Sequence, residues 1–253
     1  MKKEVQNDVR KFGLLGRNIS YSFSRGYFTE KFNREGINAT YENFDLADIA
    51  ELPQVLDNNP NLEGFNVTIP YKQEILPYLD HIDPIAERIG AINTVRVLQD
   101  GSLHGFNTDY IGFSNAIKPL LHTHHQKALV LGTGGASKAI FYALNGLGIL
   151  PTAVSRFSGE NRFSYEELDE EILKEHTVIV NCTPLGTSPA TEAFPPIPIA
   201  FIDENHLIFD LIYNPSETKL MQLAAKKGAC VSNGLKMLEL QAEKSWQHWN
   251  SPA

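Results

Sequence analysis

The chain has 253 residues, 22 of them Lys or Arg and 30 Asp or Glu, for a formal charge of −8. With 42% hydrophobic and 21% charged residues it has the composition of a folded chain, long enough for one large or two modest domains, which excludes wholesale disorder. The acidic balance excludes a general nucleic-acid binder, which needs a basic face, but leaves room for an anionic ligand held by a local field. Cys182 and Cys230 are the only cysteines, too few for a disulfide framework or a zinc cluster, so a reducing compartment is expected. The opening MKKEVQNDVRKFG lacks the apolar core of a signal peptide, and no apolar run approaches a membrane span. A cytoplasmic protein with no membrane partner is expected.

In chain order, residues 11–16 (KFGLLG) read as a strand, and 22–35 as a helix with Tyr27, Phe28 and Phe32 on one face. Residues 40–46 read as a half-buried strand, 47–57 as a helix and 62–69 as a strand. Strand then helix, repeated, predicts a mostly parallel sheet covered on both faces. Residues 94–98 and 103–106, joined through Asp100-Gly101, read as a hairpin. A new series starts at Lys127, with the strand ALVLG, a helix over 134–147 and strands over 152–155, 177–181 and 207–213. This restart predicts a domain boundary near residue 105. A last helix, 235–249, carries Leu235, Leu238, Ala242, Trp246 and Trp249 on one stripe. Periodicity does not say which domain that stripe covers.

Gly132-Thr133-Gly134-Gly135-Ala136-Ser137 lies between a strand and a helix, the context that dinucleotide binding needs. Small residues let the backbone approach a pyrophosphate, and the helix start offers unpaired N–H groups. The alternative is a tight turn that binds nothing. Roughly twenty residues on, where an NAD site places a carboxylate for the ribose, the next strand ends at Ser155-Arg156. A guanidinium there suits a 2′-phosphate, although a solvated surface Arg has the same local sequence.

Asn66-Val67-Thr68-Ile69-Pro70-Tyr71-Lys72 reads as a strand end followed by a short helix, with Lys72 in its first turn. A cation is disfavoured there, and the dipole would favour proton transfer by Lys72; the alternative is an exposed lysine. Asp109, after Asn107-Thr108, opens another helix, where a carboxylate also simply stabilises the helix start. Ser22 and Ser24 precede the first helix as N-cap candidates. Asn93 is a turn residue at the hairpin, and Gln241 lies at the edge of the last stripe. His122, His124 and His125 sit in a polar connection without Cys or acidic companions, and are expected to be solvated rather than metal-bound.

Taken in order, these elements resemble the shikimate dehydrogenase family over most of the chain. The resemblance is carried by Tyr21-Ser22-Phe23-Ser24, NVTIPYK (66–72), GAINT (90–94), NTD (107–109), GTGGAS (132–137), VNCTPLG (180–186), DLIYNPSET (210–218) and NGLKMLELQA (233–242). It implies an α/β protein of two domains. A substrate domain would comprise 1–104 plus 235–253, including a C-terminal helix that returns to it, and a Rossmann-like NADP(H)-binding domain would comprise 105–234. The implied reaction is the reversible NADPH-dependent reduction of 3-dehydroshikimate to shikimate, a step of aromatic amino-acid biosynthesis, by a monomer or homodimer with no metal.

The resemblance also implies roles. Lys72 and Asp109 would be catalytic. Ser22 and Ser24 would bind the substrate carboxylate, and Thr68, Asn93 and Gln241 its hydroxyls. Tyr213 and Gly234 would lie near nicotinamide and substrate. Gly132, Gly134, Gly135 and Ala136 would surround the pyrophosphate, with Ser155 and Arg156 at the 2′-phosphate. Phe157 stands where the family often has Thr, which removes a hydroxyl from the last site. Quinate or quinate/shikimate dehydrogenase is the nearest rival on this scaffold. A non-catalytic nucleotide sensor and an α/β module without a ligand are more distant alternatives.

Overall fold

The computed structural model describes residues 9–20 and 22–251, so the expectations resting on the opening segment and on Tyr21 lie outside the described residues. The chain divides into two compact units, one of Met1–Thr108 with Ala242–Ala253 and one of Asp109–Gln241.

The first unit contains β1 (Arg10–Gly16), α1 (Phe23–Glu35), β2 (Ala39–Asp45), α2 (Leu52–Asn58) and β3 (Leu62–Val67). It continues with β4 (His81–Ile82), α3 (Pro84–Ile89), β5 (Thr94–Val97) and β6 (Leu103–Phe106). The sheet order is β2-β1-β3-β5-β6-β4, parallel from β2 to β3 and antiparallel through the β5–β6 hairpin. Side chains alternate across this sheet. Leu15, Phe65 and Val67 enter one core with Tyr71 and Ile92, whereas Phe12 and Leu14 enter another with Phe28, Phe32 and Trp249. Both faces are therefore covered. Gly64 faces the Trp249 indole so closely that any side chain there would strike the ring.

The second unit contains α4 (Asp109–Ile117), β7 (Lys127–Leu131), α5 (Gly135–Gly146), β8 (Leu150–Ser155) and β9 (Arg162–Ser164). It goes on through α6 (Glu170–Glu175), β10 (Val178–Asn181), β11 (Leu207–Asp210), α7 (Lys219–Ala225) and β12 (Cys230–Ser232). All its strand pairs are parallel, in the order β12-β11-β10-β7-β8-β9. The order reverses between β7 and β10, the arrangement of a doubly wound dinucleotide fold. Ala128, Val130, Val178 and Phe209 fill the core on one face, and Leu129, Leu131, Ile179 and Ile208 that on the other.

Several expectations need correction. The first unit runs through Thr108 rather than stopping at 104, because β6 itself extends to Phe106 and Thr108 is bonded back to Asn93. The last helix, α8 (Leu235–Trp249), is shared: Met237 and Leu240 join the core of Phe113, whereas Ala242, Trp246 and Trp249 join that of Phe12. Its most buried row is Met237, Gln241, Ser245 and Trp249, while Leu235 is 39% exposed. Two polar residues in that row hide it from a hydrophobic pattern. The helix expected at Pro70 is a run of turns ending in a 3-10 turn, Leu76–Tyr78. With turns in place of a helix start before Lys72, the dipole argument for it falls away. The short strands β4, β9 and β12 carry too little pattern to be read locally.

Candidate active site

In the second unit, Gly132 directly follows β7 with φ of 101°, a left-handed conformation that favours glycine. A Cβ built there would stand 3.1 Å from Thr183 Cγ2, so the glycine loop passes close to the loop after β10, at the reversal of strand order. Gly134 occupies the N-cap position of α5, and no side chain caps the helix. Ser137, which departs from the strict glycine pattern, donates its hydroxyl to Gly134 O at 2.7 Å and so folds into the loop. A close backbone approach and an uncapped helix start suit the pyrophosphate of a dinucleotide.

Ser155 ends β8, and its hydroxyl donates to Phe157 O at 2.8 Å, holding the loop rather than reaching outward. Arg156 is exposed, and Phe157 is 74% exposed. Two residues to which the sequence assigned no role, Asn181 and Asp210, end β10 and β11. Asn181 Nδ2 donates to Asp210 Oδ1 at 3.0 Å and Asn181 Oδ1 accepts the Thr183 hydroxyl at 2.7 Å. Asp210 also accepts the Thr218 hydroxyl at 2.7 Å and Ile212 N–H at 3.1 Å. Burial pushes the Asp210 carboxyl up to about 6, against these hydrogen bonds. The cluster ties together the loops after β10 and β11, the second carrying half-buried Tyr213. Gly234 lies against the Leu211 backbone, where no Cβ fits.

In the first unit, three distant segments converge. Ile92 N–H donates to Lys72 O at 2.7 Å, and Val67 N–H to Asn93 O at 2.8 Å. Asn107 Nδ2 donates to Ala91 O at 2.9 Å, and Thr108 N–H to Asn93 Oδ1 at 2.6 Å. NVTIPYK, GAINT and Asn107-Thr108 thus form one cluster. Half-buried Thr68 is held through its N–H to Leu15 O at 2.9 Å. Asp109 follows Thr108 directly, opens α4 and is 5% exposed.

Ser22 occupies the N-cap position of α1 but makes no capping bond. Its hydroxyl oxygen is buried and without a hydrogen-bond partner among the described residues, which is costly unless a ligand meets it. Ser24 differs. It bonds the buried Tyr41 hydroxyl, partly offsetting the rise in tyrosine pKa that burial causes. Gln241 is 5% exposed, and its Nε2 donates to Leu238 O at 3.0 Å.

His122 and His124 are exposed as expected, whereas His125 is 6% exposed. Its Nδ1 accepts His122 N–H at 3.0 Å and its Nε2 meets Asn205 O at 3.1 Å, so the histidine trio braces a loop. Among the described residues no group of three or more His, Cys, Asp or Glu could hold a metal, and no helix is long and apolar enough to cross a membrane.

A family model described as the shikimate dehydrogenase substrate binding domain matches residues 14–95. A Clostridium botulinum protein named shikimate dehydrogenase (NADP(+)) is 39% identical over 248 residues, 94% of this chain and 95% of that one. The crystal structure of shikimate dehydrogenase from Aquifex aeolicus superposes with a TM-score of 0.86 at 32% identity, covering 97% of this chain and 94% of its own. Quinate dehydrogenase from Corynebacterium glutamicum, solved with NAD, gives a TM-score of 0.85 at 25% identity over 96% of this chain and 94% of its own.

Proposed function

The chain belongs to the shikimate dehydrogenase family, and from that premise we propose how its residues share the reaction. The chain reduces 3-dehydroshikimate reversibly to shikimate with NADPH. When bound, NADPH supplies the hydride that goes to the carbonyl carbon. The carbonyl oxygen then gains alkoxide character and needs a proton. Lys72, as an ammonium, stabilises that charge and donates the proton, and Asp109 takes part in the proton exchange.

Ser22 donates to the substrate carboxylate, with Ser24 beside it. Thr68, Asn93 and Gln241 bind the ring hydroxyls, and Tyr213 completes the substrate contacts. Holding these remote groups orients the ring for hydride transfer. In the second unit Gly132, Gly134, Gly135 and Ala136 receive the pyrophosphate, Ser155 and Arg156 shape the 2′-phosphate site, and Gly234 lies near the nicotinamide. The first unit is the substrate domain and the second the NADP(H) domain. The protein acts in the cytoplasm, as a monomer or homodimer, in aromatic amino-acid biosynthesis.

The observation that carries this reading is the convergence of NVTIPYK, GAINT and Asn107-Thr108 on Asn93. It brings substrate-binding residue types far apart in sequence to one place. The test is NADPH oxidation by purified protein with 3-dehydroshikimate, repeated with NADH and, in the reverse direction, with quinate against shikimate. Fast NADPH oxidation with 3-dehydroshikimate is expected. A preference for quinate with NAD would instead assign the chain to the rival activity.

A further inference from the structure

The first unit buries a cluster of neutral polar side chains whose hydrogen-bond directions can be counted. Tyr41, Asn66, Asn93, Thr94, Thr108 and Ser245 are each at most 5% exposed. Asn66 Nδ2 lies 3.1 Å from the main-chain oxygen of Asn93, which only accepts, so the amide orientation is settled. Asn66 Oδ1 therefore accepts the Tyr41 hydroxyl at 2.8 Å. The second Nδ2 hydrogen serves Ser245 Oγ at 2.9 Å. Ser245 Oγ, accepting there, lies within hydrogen-bond distance of Thr94 Oγ1 at 2.8 Å and of Thr108 Oγ1 at 3.2 Å, and the shorter contact is the one through which it donates onward.

The chain of donors ends on one atom. Asn93 Oδ1 accepts Thr108 N–H at 2.6 Å and the Thr94 hydroxyl at 3.2 Å, while Asn93 Nδ2 donates to Thr108 Oγ1 at 3.0 Å. A carbonyl oxygen has two lone pairs, so this one is saturated. Any further bond that Asn93 makes outside the cluster is made by the second hydrogen of its nitrogen, as a donor. Ser245 stands at the middle of the route, on α8, one helical turn after Gln241. Its hydroxyl stands between the Asn66 donor and both threonines, closer to Asn66 Nδ2, at 2.9 Å, than Thr94 Oγ1 is, at 3.1 Å.

We propose that Ser245 is a positioning residue for substrate binding: through Thr94 it holds the Asn93 carbonyl oxygen inside the protein, so that Asn93 meets the substrate as a hydrogen-bond donor. The proposal rests on the reading of Asn93 as a substrate-binding residue. Without the Ser245 hydroxyl, Asn66 loses an acceptor and Thr94 a donor, and the Asn93 side chain gains freedom. A buried hydrogen bond lost this way corresponds to about tenfold in affinity.

The experiment compares Ser245→Ala, Asn93→Ala and the double variant by kcat/KM for shikimate, by NADPH binding and by the urea unfolding midpoint. Ser245→Ala is expected to lower kcat/KM about tenfold and leave NADPH affinity within about twofold. In the Asn93→Ala background the same change is expected to cost less than about twofold, because residues acting through one another are not additive. A lower unfolding midpoint with unchanged kcat/KM would make Ser245 merely structural and overturn the proposal. A full tenfold loss persisting without Asn93 would overturn it too. If Ser245→Ala does not fold, Thr94→Val, which breaks the next link, carries the same comparison. Normal kcat/KM in Asn93→Ala alone would instead reject the reading of Asn93, and the proposal with it.

Discussion

Each unit buries a polar cluster among the strand ends and adjoining loops that carry candidate site residues, and the two clusters differ in charge. The Asn66–Ser245 cluster of the first unit is built of amides and hydroxyls, none of which titrates near neutrality. The Asn181–Asp210 cluster of the second has a carboxyl at its centre, pushed up to about 6 by burial. Both tie together loops that local hydrogen bonding alone would leave loose. The first does so at constant strength across pH, and the second carries a proton that can be removed. The difference teaches that the loops joined at Asn93 are held by groups insulated from pH, whereas the loop bearing Tyr213 in the second unit is not.

If the clusters hold shape and the groups beside them do chemistry, the largest effect comes from removing a chemical group while sparing both clusters. Lys72→Ala should keep the fold, by circular dichroism, and cut turnover by about 10²–10⁴, the usual worth of a positioned proton-transfer group. Near-normal turnover would move the chemistry elsewhere.

The difference in charge is tested next. Asp210 holds its proton more tightly when folded, at about 6 against 3.8. Its contribution to stability is therefore full below 3.8 and is lost as pH rises through about 6. The loss amounts to about 3 kcal/mol at 1.36 kcal/mol per unit. Because burial lowers His248 to about 4 and so adds stability over the same range, the decline is read as a difference: urea unfolding from pH 4 to 7 should show the native chain losing stability relative to Asp210→Asn. A stability difference between the two chains that stays constant from pH 4 to 7 would break the contrast between the clusters.

A cation outside either cluster should affect ligand binding without any stability signature. Arg156→Ser should weaken NADPH by about 10–100-fold, the value of a charge-assisted hydrogen bond, and NADH far less. Equal losses, measured by fluorescence titration, would mean that Arg156 does not read the 2′-phosphate.

The smallest effect separates two serines. Ser22→Ala should weaken shikimate by about tenfold with no fall in melting temperature, because its hydroxyl has no hydrogen-bond partner among the described residues to lose. Ser24→Ala should lower the melting temperature as well, through Tyr41. A fall in melting temperature for Ser22→Ala alone would restore its helix-capping role.

Much was legible locally. The β7–glycine–α5 passage, the β5–β6 hairpin with Gly101 at φ 86° and the alternation of both sheets follow from short-range pattern and turn chemistry. Asn181 and Asp210 were missed because a polar residue at a strand end looks like the start of a loop until its partner, 29 residues away, is known. The buried row of α8 was misread because Gln241 and Ser245 are polar yet inside.

By itself the sequence determined the two α/β series, the glycine loop and the order of motifs that places the chain in its family. These depend on neighbours in the chain, through periodicity, backbone freedom at glycine and short-range hydrogen bonds. Only the tertiary structure decided that Ser22 does not cap its helix, that Lys72 lies in turns, and that Ser245 reaches Asn66 across 179 positions. The physical reason is that a hydroxyl or an amide has no preferred partner until the fold removes water from it. Which donor then meets which acceptor is settled by packing, not by spacing in the chain.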